Sequence, residues 1–293
     1  MTNSAFLDQY NQLLKQVNDQ LLNHFDPQAS RVSQAAAYSL QAGGKRLRPL
    51  IFLTAYQALT TGTLDEKFPA DLLALASSLE YAHTFILIHD DLPGIDNDDL
   101  RRGHPTCHRQ FDEATAILAG DFLLNRALRL LNEHQQPALA TILSRQVEIM
   151  IDGEMLDILG ENRQLDKTEI TLMFQQKTSS MFAAPLLMAA TLAQEDTLSL
   201  KLEKLATDLG LAFQIQDDVL DVIGNQNALG KPIGSDDQAG KSTWVKLVGL
   251  EQAQQDYQDY YQQTRQQLLE VFPDNQARTF LLNLIDYLAN RDH

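Results

Sequence analysis

Apolar residues recur three and four positions apart along almost the whole chain, and runs of β-branched residues are scarce, so the fold has to be built from helices. Two clusters of aspartate cut into that pattern. Asp90-Asp91-x4-Asp96 and Asp217-Asp218-x2-Asp221 stand 127 residues apart, and each interrupts an otherwise apolar stretch. In LIHDDLPGIDNDDLRRG five of the ten residues from Asp90 to Asp99 are aspartates, and Phe85 to Ile88 make the preceding turn apolar. Ionised carboxylates this close repel one another, and at a helix C-terminus they also oppose the helix dipole. A divalent cation resolves both conflicts. Asp217 and Asp221, four residues apart, share one helical face, and the apolar flanks LGLAFQIQ and VLDVIG turn that face toward a cavity. Oxygen ligands without a partnering Cys or His triad point to Mg²⁺ or Mn²⁺ rather than zinc.

The periodicity predicts an all-α protein with helices over 4–24, 28–42, 46–61, 67–91, 112–133, 137–160, 167–193, 196–223, 242–269 and 275–291. We take residues 1–293 as a single domain, although 293 residues with 44% hydrophobic content also suffice for two smaller ones. Most connections are short. The exceptions, 92–111 and 224–241, each follow an aspartate cluster and carry basic residues, which marks both as parts of a site.

With 23 Lys and Arg against 39 Asp and Glu, the net charge of −16 opposes general attraction to nucleic acid or anionic lipid. An anionic ligand therefore needs a local basic site. Cys107 is the only cysteine, which excludes an internal disulfide and a zinc finger. The N-terminus reads as an amphipathic helix rather than a signal peptide, and the apolar segment Met181–Ala193, interrupted by Pro185, falls short of the roughly 20 residues a bilayer crossing needs. A soluble cytoplasmic protein without membrane insertion is the expectation.

Local basic groups are present. GGKRLRP at 43–49 sets Lys45 and Arg48 at i,i+3, with Gly43 and Gly44 permitting close approach. Arg101 and Arg102 follow the first cluster, while Lys177, Lys231 and Lys241 lie in the second half of the chain. Each would be an ordinary solvated side chain by itself. His83 lies seven residues before Asp90, two turns along the same face, where it can donate to a phosphate as readily as it can fill a core position. Mg²⁺ typically bridges a few carboxylates to substrate phosphates, so the set as a whole predicts a diphosphate ligand.

At these residues the chain resembles the trans-isoprenyl diphosphate synthase family, and within it the bacterial farnesyl diphosphate synthases. The resemblance runs from GGKRLRP through HTFILIHDDLPGIDNDDLRRGHPTCH, KTSSMF at 177–182 and FQIQDDVLD to GKPIGSDDQAGKST at 230–243. It implies a helical bundle of the isoprenoid synthase type, about ten helices around a central cavity, working as a homodimer. It also implies three Mg²⁺ per active site, held at Asp90, Asp96 and Asp217 around an allylic diphosphate, with Mn²⁺ as an alternative and Asp91, Asp218 and Asp221 secondary. Arg101, Lys177, Lys231 and Lys241 would then stabilise the leaving diphosphate, and Thr178 and Gln214 would shield the allylic cation. Lys45, Arg48, His83 and Arg102 match the family's metal-free pocket for isopentenyl diphosphate. Proton loss falls to the departing diphosphate, which leaves Cys107 structural.

Product length would be limited by Phe85, five residues before Asp90, as in family members that stop at fifteen carbons. Two positions depart from the pattern: Ile86 stands where a small residue is common and favours a ten-carbon product, and Glu154, in GEMLD, stands where the family often has Gln. The C-terminal ANRDH lacks a strong basic cluster. Geranyl or geranylgeranyl synthesis, a terpene cyclase and a non-catalytic regulatory subunit on the same scaffold are the competing readings. GGKRLRP weighs against the cyclase, which ionises one substrate and needs no second basic pocket. Both aspartate clusters, complete, weigh against the subunit.

Overall fold

The computed structural model describes residues 3–64, 67–161, 163–223 and 240–291, with nothing assigned to the side chain of Asn3. Its helices are α1 (Asn3–Gln20), α2 (Arg31–Gln41), α3 (Leu47–Leu59), α4 (Ala70–Asp90), α5 (Cys107–Gln110), α6 (Glu113–Glu133), α7 (Pro137–Gly160), α8 (Lys167–Phe174), α9 (Ser180–Leu192), α10 (Ser199–Ile223), α11 (Trp244–Val248), α12 (Leu250–Val271) and α13 (Gln276–Ala289). Capping explains several starts. Ser30 closes a capping box with Ser33 ahead of α2, Asp166 does so with Glu169 ahead of α8, and Asp112 and Asn275 accept from the first turns of α6 and α13.

Several features depart from the predicted helices, among them α5 within the 92–111 connection. Residues 167–192 do run on as one helical stretch, but a π-turn, Gln175–Ser179, widens it between α8 and α9. The 242–269 segment breaks at Gly249, whose φ of 86° lies where other residues are strained. The first long loop holds a two-residue ladder, β1 (Leu100–Arg101) with β2 (His104–Pro105), paired Leu100 to Pro105 and Arg101 to His104. Arg102 and Gly103 make its turn with φ of 55° and 79°, the positive pair that a tight two-residue hairpin requires. The second long loop lies almost wholly outside the described residues, and Lys231 with it.

The chain forms two compact units, Met1–Leu53 with Asp65–Ser144, and Thr54–Leu64 with Arg145–His293. In the first, α4 packs on α6, α1 and α2. It is long and apolar enough by length and hydropathy to cross a membrane, and at 21 residues it exceeds the 181–193 stretch singled out in the sequence, but 83% of its most apolar window is buried within the protein. A helix apolar on all sides belongs inside a core. The second unit centres on α10, which packs on α9 and α12 around a core that includes Phe174, Ile215, Val219 and Trp244. Each aspartate cluster thus sits at the end of its unit's central helix.

Candidate active site

The first cluster lies at the C-terminal end of α4. Asp91 caps the helix, and the chain then turns through Leu92–Ile95 so that the Asp96 amide donates to the Asp90 carbonyl at 2.8 Å. That turn brings Asp90 and Asp96, the two expected ligands, back to one place. Asp91 is spoken for: it is buried, and the Nε of Arg101 donates to both its oxygens at 2.7 and 2.9 Å. Burial, only partly opposed by Arg101, pushes the Asp91 carboxyl above its usual range. Arg101 therefore works first as a clamp on α4's end and on the hairpin that carries it.

Arg102, next to it, reaches the other way. Its guanidinium donates to the Gly43 carbonyl and packs where a Cβ on Gly44 would lie, and the φ of 127° at Gly44 favours glycine there. This contact joins the hairpin to GGKRLRP. Arg46, the residue between Lys45 and Arg48, has a φ of 46° and is buried, and its guanidinium pairs with Glu80 at 2.6 Å, donates to Asn18 at 2.9 Å and also reaches the Leu40 carbonyl. The Tyr10 hydroxyl donates to the Lys45 carbonyl at 2.8 Å. The segment that carries Lys45 and Arg48 is thus fixed from inside the unit.

Around it the structure brings together Arg48, Arg102 and His83, as the sequence predicts. Burial lowers Arg48 to about 10, opposed by Glu80, and it keeps its charge at neutral pH. His83 differs from the expectation of a basic group. Burial, followed by Arg48, Arg102, Arg101 and Arg46, holds it well below its ordinary 6.5, so the ring is neutral. Its Nδ1 and the Oε2 of Glu80 are buried with no hydrogen-bond partner among the described residues. His83 therefore offers a ligand a hydrogen bond and no charge. Phe85 and Ile86 are buried one turn before the cluster. Cys107, also buried, has its thiol pushed up to about 11 by desolvation, as befits a structural residue.

In the second unit the π-turn carries Lys177 and Thr178. Thr178 donates to the Gln214 side chain at 2.9 Å, joining two predicted site residues, and Lys177 pairs with Glu154 at 2.9 Å and Asp157 at 2.5 Å. Lys241 reaches the same Asp157 oxygen at 3.6 Å. Glu154 is therefore a paired carboxylate. Within the second cluster, Asp218 accepts from the Trp244 amide at 2.6 Å and is buried, while Asp217 accepts from Arg291. Arg291 also donates to Gln216 at 2.8 Å and lies 3.8 Å from the centre of the Phe213 ring, a cation–π contact. The arginine of ANRDH thus reaches the second cluster's own Asp217.

Among the described residues no three His, Cys, Asp or Glu side chains converge as a ready-made metal cage. The donors nevertheless suit Mg²⁺, which keeps several waters and completes its shell with phosphate oxygens. Asp90, Asp96 and Asp217 are partly solvated carboxylates, Asp217 also pairing with Arg291, whereas Asp91 and Asp218 are buried against Arg101 and the Trp244 amide. Sequence reasoning did not single out Arg46, Glu80, Asp157 or Arg291. Of these, Arg46 lies within GGKRLRP, Asp157 one turn from Glu154 in GEMLD and Arg291 within ANRDH, whereas Glu80 carried no signal.

Residues 29–273 match the model of the polyprenyl synthetase family. The chain is 40% identical over 287 residues to the farnesyl diphosphate synthase of Micrococcus luteus, covering 95% of this chain and 96% of that one. It is 34% identical to a chloroplastic geranylgeranyl pyrophosphate synthase of Catharanthus roseus, covering 90% of this chain and 74% of that one. Among solved structures, the polyprenyl synthase of Caulobacter crescentus, complexed with calcium and isoprenyl diphosphate, superposes with a TM-score of 0.86 at 27% identity, covering 100% of this chain and 98% of that one. The all-helical fold, the family match and near full-length relatives agree, and the chain belongs to the polyprenyl synthetase family of prenyltransferases.

Proposed function

We propose that the protein is a farnesyl diphosphate synthase, condensing isopentenyl diphosphate with dimethylallyl and then geranyl diphosphate, as one domain spanning residues 1–293. The observation that carries this reading is the buried cluster of the first unit, where Arg48 and Arg102 surround a neutral His83. An enzyme that only ionises one diphosphate has no use for such a pocket. Lys45, Arg48 and Arg102 hold the isopentenyl diphosphate by charge, and His83 adds a directional hydrogen bond. In the second unit Lys177 and Lys241 hold the allylic diphosphate.

Asp90, Asp96 and Asp217 are the metal ligands in this reading. Mg²⁺, when bound, neutralises charge that grows on the leaving group, an effect larger in the transition state than in the ground state. Thr178 and Gln214, joined by the Thr178 hydroxyl donating to the Gln214 side chain, would shield the allylic cation with their oxygen dipoles. The proton released after carbon–carbon bond formation passes to the departing diphosphate, so no side-chain base is needed. Phe85 closes the product cavity at fifteen carbons. The many relatives named farnesyl diphosphate synthase favour that length, while the Catharanthus roseus relative keeps a twenty-carbon product as the alternative.

Incubating the purified enzyme with dimethylallyl and isopentenyl diphosphates and Mg²⁺, then measuring product length by mass spectrometry, tests the assignment. A fifteen-carbon diphosphate is expected. A predominant twenty-carbon product would overturn the farnesyl assignment, and no incorporation of isopentenyl units would overturn the condensation. Asp90→Ala and Asp217→Ala should each cut turnover at least about a hundredfold, the scale of losing a charge-stabilising contact in a transition state, with circular dichroism unchanged.

A further inference from the structure

Phe85 does not stand alone on α4. His89, one turn on, packs its ring against that of Phe85 in a T-shaped pair, with centroids 4.9 Å apart and planes at 75°. The imidazole is itself held from α6, where its Nε2 lies 3.0 Å from the Ile117 carbonyl. A carbonyl only accepts, so the hydrogen bond puts the ring proton on Nε2. On the same face of α6, Gly120 is buried, and a Cβ there would lie 2.2 Å from Nε2 and 2.5 Å from Cδ2 of His89. The imidazole fills the space of the missing methyl. Glycine is a poor helix former in a helix interior, and this notch supplies a packing reason for it.

We propose that Gly120 and His89 brace Phe85, making Gly120 a specificity-determining position for product length; this rests on the reading of Phe85 as the floor of the product cavity. A phenylalanine has few rotatable bonds, and an edge contact that is itself pinned removes the alternative rotamers through which the ring could swing aside. Gly120→Ala evicts the imidazole by steric overlap. His89→Ala removes it while leaving the notch open. Both remove the same ring contact from Phe85, and neither position is itself assigned to diphosphate or metal.

The test compares product distributions of the parent, Gly120→Ala, His89→Ala, the double variant and Phe85→Ala, with dimethylallyl and isopentenyl diphosphates and Mg²⁺. The ratio of products beyond fifteen carbons to the fifteen-carbon product should rise about two- to tenfold in both single variants, the factor one aromatic edge contact allows. The double variant should match His89→Ala, because both act through one ring. Turnover of the first condensation should stay near the parent's, a split that general loss of structure would not produce. Should Gly120→Ala fail to fold, His89→Ala decides alone. If Phe85→Ala lengthens the product while His89→Ala and any folded Gly120→Ala leave it unchanged, the brace is wrong and the floor stands. If Phe85→Ala has no effect, the floor reading fails and the brace falls with it.

Discussion

A neutral histidine among four arginines makes His83 a sensor of acidity. In the unfolded chain it binds a proton near its ordinary 6.5, and in the folded protein it does so only well below that, because of burial first and the arginines second. The unfolded state therefore takes up protons as pH falls through about 6.5, and the stability due to His83, complete above that value, is lost below it at up to about 1.4 kcal/mol per pH unit. The drop in melting temperature between about pH 7.5 and 5.5 should be smaller in His83→Gln than in the parent. An equal drop in both would show that His83 is not the group responsible. The i,i+3 spacing of Lys45 and Arg48 was legible in the sequence, and so was His83, two turns before Asp90. The buried pair of Arg46 and Glu80 was not, since a lone carboxylate within an apolar helix gives no periodic signal and its partner lies 34 residues away.

Most helix ends matched the pattern of caps and apolar spacing, and the misses have local causes. The π-turn of Gln175–Ser179 inserts one extra residue into a helical run, and nothing in a 3.6-residue periodicity marks such an insertion. Its reason lies on α7. Gly153 has no side chain there, and a Cβ would lie 2.2 Å from the Lys177 amide nitrogen, so α7 lies directly against the widened turn and sets where Lys177 and Thr178 point. Gly153→Ala should destabilise the protein by about 1–3 kcal/mol, as overpacking against rigid backbone does. It should also weaken binding of inorganic diphosphate with Mg²⁺. Urea unfolding and calorimetric titration measure the two effects, and a fold-stable variant with unchanged diphosphate affinity would show that the turn does not position Lys177. The hairpin of Leu100–Pro105 was hidden differently. Arg102 is not a usual turn former, and its contact with Gly43 and Gly44, far off in sequence, holds its unusual backbone.

At the scale of the molecule, the sequence made the helical class, the two aspartate clusters and the family legible. Contacts between distant segments stayed out of reach, as with Arg291 on Asp217 across 74 residues. An interface is equally invisible to periodicity. On α7, Ile151, Met155 and Leu159 recur every four residues and are 47%, 46% and 55% exposed, an apolar stripe that water does not favour. We propose that a second copy covers it. Light scattering should give twice the chain's mass, and Met155→Lys should shift the protein toward the monomer; a monomeric parent would overturn the homodimer. A last consequence follows from Trp244, the only tryptophan in the chain. Its amide holds Asp218, its indole donates to Asp256 at 2.7 Å, and its ring lies beside Phe174. Tryptophan emission therefore has a single source, wired directly to the second aspartate cluster, and a ligand arriving there can be followed by that emission without any label.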